Sequence, residues 1–355
     1  MITKNKKINI IAEIGVNHNG KINLAKKLIR YAKYSGADFV KFQNWKAASL
    51  VTKNAKMATY QIKNTKKKIK QIDLLKPLEL KEQDYFLLKD FAKLKNIKFI
   101  SSPFDEQSYQ FLVNKMKCKI IKIPSGEINN FLMLNNVNLN RHKLFISTGM
   151  ASMLEIANCL NFIAKTKVYK INKDKIKILN KKKLNFLKKK IILMHCVTDY
   201  PVLENFANLS AIKTMKKAFQ LPIGYSDHTK GSIAAIIAVS FGAVLIEKHL
   251  TYNKNLDGPD HKASLNPAEF KIMVQSIRTF EKMVGNGIKS PQICEKGNMN
   301  IARKSIVAKQ KIKIGEIFTM KNITVKRPAG GKDPSKFFKF LGKKARKNYT
   351  KDQKI

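Results

Sequence analysis

The chain is poor in arginine, acid and cysteine. Only six of its 70 basic residues are arginine, and they face just 24 Asp and Glu. The four cysteines (Cys118, Cys159, Cys196, Cys294) lie far apart with no C-x-x-C. That excludes a zinc ribbon and a dense disulfide frame, and fits reduced thiols in the cytoplasm. The N-terminus has no long apolar core or small-residue cleavage site, so no signal peptide is expected. The most apolar stretch, residues 232–246, is too short to span a bilayer and is broken by Gly242, so no membrane partner is expected. No nucleic-acid motif and no aromatic-interleaved basic stripe is present, so the net charge of +46 is not read as nucleic-acid binding. The lysines are spread along the chain beside abundant Asn and Ile, the bias of an AT-rich genome, with a mild benefit for anionic substrates.

What is there is a repeating pattern. Apolar residues make up 44% of the 355 positions, enough for one large domain and a small one. The first ~285 residues alternate β-branched runs with amphipathic stretches. Candidate strands are Ile8–Ile14, Phe39–Gln43, Lys98–Ser101, Ile120–Ile123, Leu144–Ser147, Ile191–His195, Pro222–Tyr225 and Val244–Lys248. Eight strands alternating with helices is the count for an α/β (β/α)8 TIM barrel. An open doubly wound sheet is the alternative, but it has fewer strands, and G-x-G-x-x-G is missing after the first one.

Nearly every candidate strand ends in polar residues, as barrel active sites require. Lys41, Lys122, Ser102, Ser125, Ser147 and Ser226 would give a ring of cations and hydroxyls suited to a small dianion carrying phosphate and carboxylate. His228 and His249 end neighbouring strands and could share a divalent metal. His195 reads equally as a site residue or a satisfied core histidine. Any single cluster could be a cap or turn: Asn17–Gly20 is a good turn, Asp260 could cap a loop, and Gly149 and Gly258 could serve tight turns.

The remainder reads as additions to the barrel. Residues 44–82 are too long for a simple connection and suggest a lid or interface element. Residues 165–190 hold twelve lysines and read as a solvated, partly helical insertion. Domain boundaries are expected at 1–284 for the barrel, 285–300 for a linker and 301–355 for a small β-rich module whose own core is marginal.

The motifs resemble those of the N-acetylneuraminate (sialic acid) synthase family, which includes legionaminic acid synthases. They are AEIGVNHNG (12–20), FVKFQ (39–43), LVTKNAKMATYQ (50–61), FISSPFD (99–105), KIPSGEINN (122–130), STGMA (147–151), MHCVTDYP (194–201), IGYSDHT (223–229), IEKHLT (246–251), GPDHKASLNPAEF (258–270) and ARKSIVA (302–308). The resemblance implies a TIM barrel followed by an antifreeze-like SAF domain, in a swapped homodimer where each small domain caps the partner's site. It implies condensation of phosphoenolpyruvate with an N-acylated hexosamine of mannosamine type, with a Mn or Mg ion on His228 and His249 polarising the sugar aldehyde. Lys41, Lys122, Ser102, Ser125, Ser147 and Ser226 would then bind phosphoenolpyruvate, with Glu13 beside its carboxylate and Glu127 supporting water or C2 chemistry. Gln43, Tyr200 and Asp260 would contact the sugar, and Arg303 its N-acyl group from the neighbouring subunit.

Three positions depart from the pattern. Ser102 stands where the family usually has Thr, Thr198 where some members have Asn, and the loop after Arg327 differs. Rival readings are a barrel synthase that uses a phosphorylated acceptor and a basic binding protein that kept the barrel as a scaffold. The acceptor, N-acetylmannosamine or 2,4-diacetamido-2,4,6-trideoxymannose, is not assigned by the residues.

Overall fold

A computed structural model describes residues 7–172 and 175–355. Two compact units divide at Asn286, Met1–Asn286 and Gly287–Ile355.

The first unit is a closed parallel barrel. Its strands are β1 (Asn9–Gly15), β2 (Phe39–Asn44), β3 (Lys98–Pro103), β4 (Ile120–Ile123), β5 (Lys143–Ser147), β8 (Ile191–His195), β9 (Ile223–Asp227) and β10 (Leu245–His249). A two-stranded hairpin, β6 (Tyr169–Asn172) with β7 (Lys175–Ile178), lies outside the barrel sheet. The barrel closes between β1 and β10. Its strands are buried on both faces, which is why they read as apolar runs rather than as alternating patterns. The outer face packs on helices such as Ile22–Tyr34, which buries Ala25, Leu28, Ile29 and Ala32 at helical spacing. Inside, Ile11, Phe39, Ile100, Phe145, Met194 and Leu245 fill the lower barrel.

The lysine-rich stretch is more ordered than a solvated insertion. It holds the hairpin and then helix Lys181–Lys190, which buries Leu184 and Leu187. Residues 173 and 174 of that stretch lie outside the described residues. The long connection after β2 forms short helices, among them Thr59–Thr65 and Gln71–Leu75. Asn64 ties it down, donating to the carbonyls of Tyr200 at 2.8 Å and Pro259 at 2.6 Å.

The second unit carries the antiparallel pair β11 (Ser305–Ala308) and β12 (Ile323–Lys326). A small core of Ile306, Ile312, Phe318, Ile323, Ala345 and Tyr349 holds it. Residues 293–302, expected in part as linker, form a turn at Ile293–Glu295 and a helix at Lys296–Ala302.

Candidate active site

Register decides which side chains meet inside the barrel. Glu13 pairs with Lys41 on one side and His249 on the other. Glu247 pairs with Ser226, and Lys248 with Asp227. Partners in a parallel ladder share a face and successive residues alternate. Glu13, Lys41, Ser226, Glu247 and His249 therefore point inward, while Asp227 and Lys248 point outward beneath the helices.

The inward set forms one ionic cluster. Lys41 Nζ lies 3.2 Å from Glu13 Oε1 and 3.3 Å from Glu247 Oε1, and donates to Ser102 Oγ at 3.2 Å. Lys122 Nζ donates to Ser147 Oγ at 2.7 Å and to Glu247 Oε1 at 3.1 Å. Ser226 Oγ donates to the same carboxylate oxygen at 2.9 Å. Gln43 Nε2 donates to Glu13 Oε1 at 2.7 Å. All four charged side chains are buried.

Burial and partners set the protonation states. Burial raises the Glu13 carboxyl, Lys41 pulls it back, and Glu247 raises it further, leaving it above the usual range. Burial also opposes the charge on Glu247, but Lys122 and Lys41 overcome it and hold the carboxyl far below that range. Burial pulls Lys41 down, but its two carboxylates leave it above an ordinary lysine. Lys122 has the same burial; Glu247 raises it, the positive charge of Lys41 opposes it, and the net is downward. One oxygen on each carboxylate, Glu13 Oε2 and Glu247 Oε2, is buried with no hydrogen-bond partner among the described residues. Such orphaned atoms, gathered in one place, mark a ligand-binding interior.

Two histidines flank the cluster, with ring centroids 5.7 Å apart. His228 Nδ1 donates to the Val197 carbonyl at 2.6 Å, which leaves Nε2 as the lone-pair nitrogen, 3.3 Å from Ser226 Oγ. Burial brings His228 down to about 4. His249 also falls well below its usual value, through burial and then the neighbouring His228. Its Nδ1 is buried without a hydrogen-bond partner, 3.7 Å from Asp260 Oδ2. Burial, with Glu13 nearby, pushes Asp260 up to about 7. Asp260 makes no side-chain cap for the turn after it, so the loop-cap reading does not hold. The Tyr200 ring lies 4.2 Å from His228 and 5.6 Å from His249. A cavity of about 230 Å³ lies beside Gln43, Tyr60 and Asp260, with Val16 and Trp45 in its wall.

Other expected residues are placed differently. Ser125 Oγ accepts from the Gly149 amide at 3.1 Å and lies 3.2 Å from Cys196 Sγ. A side chain on Gly149 would bring Cβ within 2.3 Å of Thr198 Oγ1, so close approach rather than turn geometry requires this glycine. Glu127 is half-buried and accepts from Asn130 Nδ2 at 2.6 Å, rather than from either lysine. Arg303 belongs to the second unit and is exposed at the end of helix Lys296–Ala302. His195 resolves to a satisfied core histidine, its Nε2 against the Ala207 carbonyl at 2.9 Å and its ring stacked on Tyr225.

Sequence reasoning gave no role to Glu247, the atom-sharing centre of the cluster. Period-two alternation back from His249 was the signal that could have found it. It also left out the buried pair Lys248 and Asp227, at 2.9 Å on the outer face.

Among the described residues no group of three or more His, Cys, Asp and Glu is arranged to hold a metal. The donor set that fits a divalent cation is the two neutral imidazoles, one of them with an orphaned nitrogen. They would leave other coordination positions to water or substrate.

Comparison with known proteins places the chain among sialic-acid-type synthases. Residues 28–289 match the NeuB family and residues 303–355 the SAF domain. The chain is 46% identical over 350 residues to an N,N'-diacetyllegionaminic acid synthase of Campylobacter jejuni, covering 99% of each chain. It is 40% identical to the protein of that name from Legionella pneumophila, covering 96% of this chain and 91% of the other. A solved N-acetylneuraminic acid (sialic acid) synthetase from Leptospira borgpetersenii superposes with a TM-score of 0.67 at 32% identity, over 82% of this chain and 90% of that one.

Proposed function

The chain belongs to the NeuB family and ends in a SAF domain, and from that premise we propose that it joins phosphoenolpyruvate to 2,4-diacetamido-2,4,6-trideoxymannose to make N,N'-diacetyllegionaminic acid. The acceptor rests on the 46% and 40% identities, both to proteins named for that product. N-acetylmannosamine is the second reading, supported by the sialic acid synthetase at 32% identity.

One observation carries the phosphoenolpyruvate assignment. Lys41 and Lys122 are buried ammoniums converging on Glu247 Oε1, with Ser102, Ser147 and Ser226 beside them. An incoming phosphate and carboxylate would take over those donors. Glu13, already raised toward its protonated form, can take up a proton as that negative charge arrives. The C2=C3 π electrons of phosphoenolpyruvate would then form a bond from C3 to the sugar aldehyde carbon, whose C=O π bond opens to a hydroxyl by taking a proton while C2 becomes cationic. Water adds at C2, and phosphate departs with C–O cleavage. Glu13 and Glu127 are the carboxylates assigned to proton handling and to water near C2. Gln43, Tyr200 and Asp260 would hold the sugar beside the cavity. His228 and His249 would hold Mn or Mg, which supplies Lewis-acid polarisation of the aldehyde when bound. Arg303 would act on the acceptor from a partner chain in a homodimer. This is work for a cytoplasmic enzyme, and no described helix is long and apolar enough to cross a membrane.

The test gives the purified protein phosphoenolpyruvate with each acceptor in turn and follows phosphate and product mass. We expect phosphate only when acceptor is present, and a kcat/KM preference of at least about tenfold for the diacetamido sugar. Equal or better use of N-acetylmannosamine would overturn the acceptor. Phosphate release indifferent to either sugar would overturn the reaction.

A further inference from the structure

We propose that the opposite end of the barrel, its floor, is a second binding site for a small nucleotide-like anion: a flat apolar ring on the floor and phosphate against its rim of lysines. A cavity of about 730 Å³ opens there, within the ~300–1,000 Å³ range of small-molecule pockets. Each of the eight barrel strands contributes from its start. Asn9, Phe39, Lys98 and Ile120 come from four of them, and Lys143, Ile191, Pro222 and Val244 from or beside the other four.

Its chemistry is two-layered. The floor is apolar, with Phe39, Ile120, Phe145 and Ile192 capping the filled lower barrel. The rim is basic and includes Lys98, Lys143, Lys188, Lys189 and Lys216, with no Asp or Glu in the lining. Those five form no ion pair among the described residues. Lys7, also in the lining, is paired with Asp38, and Lys190 donates to the Asn140 carbonyl. Like charges around a low-dielectric wall focus the field and concentrate counter-anions. Gly242 makes room for one of them: its φ of +100° favours glycine, and a Cβ there would meet Lys216 Nζ at 2.9 Å. Lys188 and Lys189 come from the lysine-rich stretch, to which the synthase reading gives no task.

Small anions alone would use the rim but not the floor, and an apolar ring alone the reverse. A ring joined to phosphate uses both, which is why a nucleotide fits better than either half. The concave pocket also suits a small molecule better than a nucleic-acid strand, which needs an extended basic track.

The experiment measures binding of adenosine 5'-monophosphate, adenosine and inorganic phosphate to the full chain, with phosphoenolpyruvate saturating the mouth. We expect one nucleotide per chain, with adenosine and phosphate each at least about tenfold weaker. The variant Lys98→Glu/Lys143→Glu/Lys216→Glu is compared with Lys309→Glu/Lys311→Glu/Lys313→Glu, which changes net charge equally in the second unit. The floor variant should lose at least about tenfold in nucleotide affinity and the control less than about twofold. Ile192→Trp, which obstructs the floor without altering charge, should also weaken binding. Phosphate release by the synthase reaction confirms that each variant is folded. Equal loss in both charge variants, displacement of the nucleotide by phosphoenolpyruvate, or no nucleotide binding would each overturn the proposal. So would a single-stranded oligonucleotide that binds more tightly than the mononucleotide and ignores the floor variant.

Discussion

Lys41 and Lys122 meet at a single atom, Glu247 Oε1, at 3.3 and 3.1 Å. This single carboxylate offsets part of the charge of the two lysines, and a substrate anion must compete with it or join it. Glu247→Gln keeps the shape and removes the charge. Breaking a buried pair by removing one partner costs about 3–5 kcal/mol, so the free variant should melt lower. Phosphoenolpyruvate would then supply the missing charge, and binding to the native state stabilises it. The rise in Tm on adding phosphoenolpyruvate should exceed that of the wild type. A smaller rise would show that Glu247 supports the bound state rather than standing in for it.

A second ion pair lies back to back with the site. Lys248 Nζ donates to Asp227 Oδ2 at 2.9 Å and to the Thr229 carbonyl at 2.5 Å, and both charged side chains are fully buried on the outer face. His228, just past the end of β9, and His249, the last residue of β10, each follow one residue further on. Asp227→Asn leaves Lys248 without its counter-charge and should cost about 3–5 kcal/mol in denaturant unfolding. Asp227→Leu with Lys248→Met removes both charges and should lie closer to wild type than either single change. A double variant as unstable as the sum of the singles would mean the pair has no coupling.

The lysine protonation states predict an alkaline limb. Lys122 is lowered from the ordinary lysine value and Lys41 is raised. As pH rises, Lys122 therefore loses its proton first, and phosphoenolpyruvate loses a charge partner. The fall in kcat/KM for phosphoenolpyruvate reports the free enzyme, so it should begin below the ~10.4 of an unperturbed lysine. Bound substrate holds Lys122 charged, and kcat should fall at higher pH. Lys122→Arg, always charged, should move the kcat/KM limb upward while lowering the plateau. A limb unmoved by Lys122→Arg would assign it to another group.

The sequence made much of this site legible because barrel strands announce their ends. Lys41, Lys122, Ser147 and His249 each follow an apolar run, and closure of the barrel brings such positions to one mouth. Glu247 was less legible. It stands in the strand-end cluster Glu247-Lys248-His249, where the terminal histidine drew the functional reading. Alternation back from His249 turns Glu247 inward, and strand pairing sets Lys248, with Asp227, against the helices. The hairpin Tyr169–Asn172 with Lys175–Ile178 was hidden for another reason. Its Lys-Ile alternation lies in so dense a run of lysine that solvation dominated the pattern, although Tyr169 is buried and donates to the Phe219 carbonyl at 2.9 Å. The anchoring of the connection after β2 through Asn64 depends on backbone carbonyls of distant loops, which no local pattern encodes.

Metal dependence is predicted from the two imidazoles. Both are held neutral by burial, and His249 Nδ1 has no hydrogen-bond partner. A chelator should abolish turnover, and Mn or Mg should restore it. His249→Asn should lower metal affinity by at least about tenfold, read by Mn binding in the absence of substrates. Full turnover in excess chelator would reject the metal assignment.

The last prediction concerns Arg303, exposed at the end of helix Lys296–Ala302, just before β11. An exposed guanidinium is a directional donor suited to an amide oxygen, and the proposed acceptor carries two N-acetyl groups. Arg303→Ala should raise KM for the acceptor more than KM for phosphoenolpyruvate. Complementation tests whether the residue acts across a dimer. One chain carries Arg303→Ala and its partner carries Lys41→Ala, each with its own tag. If the arginine serves the other chain's barrel, one site of the heterodimer combines an intact Lys41 with an intact Arg303 and regains up to about one normal site. If it serves its own barrel, each site keeps one defect and activity stays at the level of the homodimers. Purified heterodimer with no recovery would reject action in trans and leave the barrel chemistry unaffected.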